Sequence, residues 1–299
     1  MPFKKQLKKQ PQFAIFYYMA ILGYDGIKAL IKLLETEGDA YGPVLKDALA
    51  VAIKQNPDQV ERVMQEEFHS SAPRTVIHAL EEICWEDLSK ALARYCNKIN
   101  PDLEEGLTLL AKFTSPTTAR GNISAPLDRM AQDLRPALLN AANYGEIAAI
   151  LGHYIFNVSQ FSALSASADV KDMSFSRFLA KKRGSGLCMA CLYAALGQRF
   201  GLDVNLIDLA GRILVNLQNP ATGEALFIDP LDNGKVLSER DCRQYIELRQ
   251  LSWHDSFLTP LSSHLIIRRF IANMIYALNK LRDERRLKFL RGYLDIIKG

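Results

Sequence analysis

Between Leu187 and Phe200 the chain is apolar almost all round, and this run constrains the fold more than any other feature. A helix with no polar side has to be buried on every side, so other elements must wrap it. Gly184-Ser185-Gly186 opens the run, and Gly201 closes it as a C-cap. Before it the hydrophobic period is helical. After it come short β-like runs at Val204 to Ile207, Arg212 to Leu217 and Ala225 to Ile228, separated by Gly and Asn turns. Asn219-Pro220-Ala221-Thr222-Gly223 reads as a hairpin loop. From His264 the chain is helical again, with Ile266, Phe270, Met274, Ile275, Leu278 and Leu281 on one side and a second helix from Leu287 to Ile297. The order is all-α, then a central helix feeding an antiparallel sheet, then an α hairpin.

The first ~115 residues carry repeated apolar stripes at helical spacing. Leu30, Leu33 and Leu34 form one, and Leu45, Ala48, Leu49, Ala52 and Ile53 the next. Val76, Ile77, Leu80 and Ile83 follow, then Leu88, Leu92 and Tyr95, then Leu103, Leu107, Leu110 and Ala111. Breaks are expected at Gly42-Pro43, Asn56-Pro57-Asp58, Ala72-Pro73 and Asn100-Pro101-Asp102. One helix pair per ~40 residues is the pattern of HEAT-like hairpins. Thr114 to Ala125 has no apolar stripe and marks a boundary. The expected division is 1–114 HEAT-like helical region, 115–260 α+β core and 261–299 C-terminal helical hairpin.

Charge narrows the partners. Lys and Arg number 37 against 33 Asp and Glu, and Lys4, Lys5, Lys8 and Lys9 account for the whole excess. The remainder is balanced, which argues against a basic face tracking nucleic acid. The longest apolar run, Phe13 to Leu22, is half of the ~20 residues that a membrane span needs. It reads as a first helix rather than a secretion signal, since Pro11 and Gln12 interrupt the basic approach to it and no A-x-A-like cleavage site follows before Asp25. The five cysteines, an odd number spread thinly, do not make a disulfide framework and fit a reducing cytoplasm.

Chemistry centres on Cys188, at the first turn of the buried helix. A helix N-terminus offers partial positive charge and free N–H groups, which lower a thiol pKa and can serve an oxyanion. A cysteine there, followed by strands, is the plan of a papain-like nucleophile site, whose usual partners are a His base and an orienting Asp. Cys188-Met-Ala-Cys191 is also a C-x-x-C, but no second ligand pair accompanies it. Two cysteines one helical turn apart facing the core is the default reading, ahead of a redox or metal role.

Three stretches stand out around the central helix: Phe178-Leu-Ala-Lys-Lys-Arg-Gly-Ser-Gly-Leu-Cys188, Leu192-Tyr-Ala-Ala-Leu-Gly-Gln-Arg-Phe-Gly-Leu202 and Leu209-Ala-Gly-Arg-Ile-Leu-Val215. They continue in Leu226-Phe-Ile-Asp-Pro-Leu231, Gly234, Leu237-Ser-Glu-Arg-Asp-Cys242 and, upstream, Leu109-Leu-Ala-Lys-Phe-Thr-Ser-Pro116. Through these stretches residues 102–250 resemble the SirB-type family of bacterial transglutaminase-like proteins. The resemblance implies a papain-like transglutaminase core. It places Cys188 at the nucleophile position, where many relatives carry Ser, and Asp229 at the orienting-acid position. Arg212 stands where the family motif has His, Gly186 where Pro is usual and Leu231 where Phe is.

Arg212 decides the functional expectation. A guanidinium stays charged at neutral pH and cannot take a thiol's proton and return it. None of the five His (69, 78, 153, 254 and 264) falls in the strand motif. Arg212 and Asp229 are expected to form a buried ion pair, a relic of the dyad that clasps two strands. The expectation is a non-catalytic protein that binds another protein and carries no cofactor or metal. The rival is a thiol-dependent amide hydrolase or acyl transferase acting through Cys188.

Overall fold

Apolar stripes at 3.6-residue spacing build the N-terminal helices. The computed structural model describes residues 23–68, 74–116, 118–164 and 169–297. The expected first helix at Phe13 to Leu22, the Lys-rich segment before it and the break at Ala72-Pro73 lie outside those residues. The chain divides into two compact units, residues 1–90 with 115–117 and residues 91–114 with 118–299.

The first unit contains α1 (Tyr24–Gln55), α2 (Pro57–Phe68) and most of α3 (Arg74–Cys96). Ile27, Leu30, Ile31 and Leu34 share one core with Leu45, Leu49, Ala52, Val63, Val76 and Ile83. Pro57 opens α2 directly after Asn56, as its fixed φ favours. The break expected at Gly42-Pro43 is absent: α1 runs through Pro43. An internal proline costs ~3 kcal/mol. Stripes on both sides of it feed the same core, and burying one Leu or Ile gives back about 2 kcal/mol. Lys46 pairs with Glu82 at 2.8 Å across this unit.

The second unit holds α4 (Leu103–Thr114), α5 (Gly121–Leu139), α6 (Tyr144–Gly152), α7 (Phe175–Lys181), α8 (Gly186–Arg199), α9 (Glu239–Leu248), α10 (Ser263–Leu281) and α11 (Glu284–Ile296). A single π turn, His153–Val158, extends α6, and a 3-10 turn spans Val170–Met173. The strands are β1 (Ser162–Ala163), β2 (Arg183–Gly184), β3 (Asp203–Leu209), β4 (Arg212–Gln218), β5 (Ala225–Asp229) and β6 (Lys235–Leu237). β1 and β2 form a short parallel pair, and β3-β4-β5-β6 an antiparallel sheet in sequence order. The chain is α+β, mostly helical with one small antiparallel sheet.

α8 is the central apolar helix, and Leu187 through Gly197 are all buried. Gly201, at φ +66°, turns the chain out of it into β3. At its last turn Arg199 donates to the half-buried network of Glu104 on α4 and Asp128 on α5, the latter at 2.8 Å, and to the Ala195 carbonyl at 2.9 Å. α7, α9 and the short strands β1, β2 and β6 escape the sequence reading. α9 carries a capping box between Ser238 and Asp241, and β6 is only three residues long.

Candidate functional site

The β3–β4 connection is a two-residue hairpin, Ala210-Gly211, with φ +50° and +95°. Left-handed conformations at both positions match the right-handed twist of the flanking strands. The hairpin sets Leu209 opposite Arg212 and starts β4 at the arginine. On the other side of β4, Val215 lies opposite Ile228, so Leu214 lies level with Asp229. Side chains alternate between faces, and Arg212 and Asp229 therefore sit diagonally on one face. The guanidinium of Arg212 and the carboxylate of Asp229 form an ion pair. Asp229 is 2% exposed and the Arg212 side chain 31%. Asp229 Oδ1 accepts a second bond, from the Leu231 N–H at 2.9 Å, so both carboxylate oxygens are engaged.

α9 covers that face. Ile207, Leu209, Leu214 and Phe227 of the sheet share a core with Cys242 and Ile246 of α9. The Arg212 guanidinium carbon lies 5.4 Å from the centre of the Tyr245 ring, a cation–π contact. Asp229 is close enough to Cys242 that its charge adds to the burial, and to Asp241 and Glu239, in pushing that thiol up to about 11.

Cys188 occupies the first turn of α8, as expected. Its N–H donates to the N-cap Ser185 Oγ at 3.3 Å. The Ser185 hydroxyl lies 3.3 Å from Sγ, and Sγ lies 3.9 Å from the Met173 carbonyl. The thiol is 0% exposed. Burial pushes it up to about 12; Ser185 offsets this in part, and Asp172 adds to it. The sequence expectation of an acidic Cys188 is thereby corrected. Partial helix charge within one turn contributes ~0.3–1 kcal/mol, while taking the thiolate out of water costs several times that.

The structure brings Arg212 and Asp229 together and joins neither to Cys188 by a hydrogen bond or ion pair. α8 packs on the other face of the sheet. A Cβ at Gly197 would overlap Val204, and Val204, opposite Leu217, alternates away from the Arg212 face. The thiol's polar contacts are to Ser185 and Met173, so no imidazole serves it. His69 lies outside the described residues. His153 and His254 are exposed, and His264 packs edge-on against Tyr95. Cys191 is equally buried and its thiol lies well above the ordinary value, chiefly by burial, with the neighbouring Cys188 thiol adding to the rise. Among the described residues no group of three His, Cys, Asp or Glu could hold a metal ion.

Sequence reasoning missed Tyr245 and Cys242, the α9 residues that enclose the Arg212–Asp229 pair. The Ser238-x-x-Asp241 cap before Cys242, Tyr245 and Ile246 was the available signal. It also missed Leu231 as a packing partner of Gly186, where an added Cβ would lie 2.6 Å from Leu231 Cδ2.

No curated protein and no solved structure matches the chain. No helix among the described residues is long and apolar enough to cross a membrane. The family description of the transglutaminase-like superfamily matches residues 121–272, from the first residue of α5 into α10. That span is just over half of the chain and contains Cys188, Arg212 and Asp229. With a cysteine-headed helix packed on an antiparallel sheet and a match of this extent, the chain belongs to the transglutaminase-like superfamily.

Proposed function

We propose that this chain is a non-catalytic, SirB-type member of the superfamily that acts by binding another protein. The observation that carries the reading is the Arg212–Asp229 ion pair under α9. A permanent cation at the base position leaves nothing to shuttle the thiol proton, and general acid–base catalysis is worth ~10²–10⁴-fold. The fully buried, protonated Cys188 supports the same reading. The pair then works as a clasp between β4 and β5.

In this reading the papain-like core is a scaffold. The N-terminal helices are HEAT-like hairpins, and stacked hairpins offer concave surfaces to partner proteins. All five cysteines are free, which fits a reducing bacterial cytoplasm. The balanced charge beyond the Lys-rich N-terminus speaks for a protein partner over nucleic acid or a membrane surface.

The test is amine incorporation into, and hydrolysis of, a glutamine-donor peptide by the wild type, Cys188→Ala and Arg212→His. The expected result is no difference between the wild type and Cys188→Ala. Arg212→His is also expected to stay idle, because the new imidazole would face α9. Wild-type turnover abolished by Cys188→Ala would replace this reading with a thiol-dependent amide hydrolase or acyl transferase.

A further inference from the structure

A cleft of about 470 Å³ lies between the start of α6 and the β4–β5 hairpin. Its lining includes Asn143, Tyr144, Ile147, Asn219, Glu224 and Leu226. None of these belongs to the site above, and the volume is that of a small-molecule pocket, ~300–1,000 Å³.

The polar groups in this lining have fixed identities. Asn143 Oδ1 accepts the Glu146 N–H at 2.9 Å, and Asn219 Oδ1 accepts the Ala221 N–H at 3.0 Å. Backbone donors hold both carbonyl ends, so each amide has its NH₂ left over as a donor. The Glu224 carboxylate has no hydrogen-bond or ion-pair partner among the described residues; its backbone alone is engaged, the N–H donating to Thr222 Oγ1 at 3.3 Å and the carbonyl accepting the Asn219 N–H at 2.8 Å. The N-terminus of α6 is closed by its own residues, since Glu146 also accepts the Ala142 N–H at 2.7 Å. The helix end is therefore not the attraction.

Three ligand chemistries compete for two amide donors and one carboxylate. A cation would use Glu224 and leave both amides idle. An anion would use the amides and be repelled by Glu224. A hydroxyl accepts from an amide and donates to a carboxylate, so a neutral polyol satisfies all three groups. Tyr144, Ile147 and Leu226 supply the apolar surface that one face of a sugar ring covers. We propose that this cleft is a binding site for a neutral sugar, either free or at the end of a glycan chain. The proposal is independent of whether Cys188 is catalytic.

The test is saturation-transfer NMR on the full chain. The probes are D-glucose, D-galactose, D-mannose, N-acetyl-D-glucosamine, maltose, cellobiose and lactose, with Nα-acetyl-lysine amide and methyl phosphate as the cationic and anionic arms. At least one sugar is expected to bind saturably. Glu224→Ala and Tyr144→Ala should each weaken it roughly tenfold, the loss typical of a hydrogen bond to a charged group or of a stacked ring. Glu224→Ala should leave the thermal melt unchanged. A disaccharide binding more tightly than its monosaccharide would mark a glycan end, and equal binding a free sugar. The proposal is overturned if no sugar saturates, if only the lysine amide or phosphate binds, or if both substitutions leave sugar affinity unchanged.

Discussion

Replacing Arg212 with Leu should destabilise the second unit far more than replacing Asp229 with Asn, although each removes one half of the same pair. The asymmetry follows from burial. Asp229 is 2% exposed, so Arg212→Leu strands a carboxylate inside the sheet–α9 interface, where only the Leu231 N–H answers it. Breaking a buried pair in this way costs ~3–5 kcal/mol. Arg212 is 31% exposed, so after Asp229→Asn its guanidinium can turn to water while Tyr245 still covers one side. The asparagine Oδ1 keeps the Leu231 bond. That loss should be ~1–2 kcal/mol. The double variant, Arg212→Leu with Asp229→Asn, leaves no buried charge and should recover ~1–3 kcal/mol of the summed single losses. For a unit of this size 1 kcal/mol moves Tm by roughly 2–4 °C, which puts Arg212→Leu about 10 °C below the wild type. Thermal melts by far-UV circular dichroism of the four proteins complete the cycle. Additive losses, or an Arg212→Leu melt level with the wild type, would refute the clasp.

Three further outcomes follow from the packing. Arg199→Ala should cost ~3 kcal/mol, read in the same melts, because it leaves the buried Glu104 without its guanidinium. Gly197→Ala should cost ~1–3 kcal/mol by forcing α8 off Val204, whereas Gly292→Ala, with open space around it, should not destabilise. Stability should fall between about pH 9 and pH 12. Cys188 and Cys242, pushed up to about 12 and about 11, stay protonated when folded, while the unfolded thiols ionise near ~8.5. The native state therefore binds more protons in that window and loses stability as pH rises through it. A melt that is flat from pH 8 to pH 11 would contradict this.

Much of the site was legible because it rests on local rules. Gly184-Ser185-Gly186 and Gly201 bracket α8 to within a residue, and Ser185 is its N-cap. The pairing of Arg212 with Asp229 follows from the family resemblance, which puts both at site positions, together with the cost of a lone buried charge. What local reading could not supply is depth and face. Nothing at Cys188 itself says that the Met173 carbonyl will cover it, because Met173 ends a 3-10 turn that reaches the thiol only through tertiary packing. Nor does the spacing of Cys188, Arg212 and Asp229 reveal that α8 packs on one face of the sheet while the pair lies on the other. That depends on the register of β4 with β5 and on α9, an element whose polar composition hid it. Gly42-Pro43 failed for the opposite reason: the local signal for a break was real, and the shared core overrode it.

The most direct test of the central claim, that the family's nucleophile position holds a buried and protonated thiol, is the alkylation rate of each cysteine in the native chain. Iodoacetamide reacts with thiolate, and peptide mass spectrometry resolves the five sites. Cys84 and Cys96 are part-exposed, and Cys188 is 0% exposed. The account requires Cys188 to react more slowly than either at neutral pH, with a rate still climbing at pH 10. A Cys188 that labels first and reaches its plateau below pH 8 would contradict it and restore a reactive thiolate to the site.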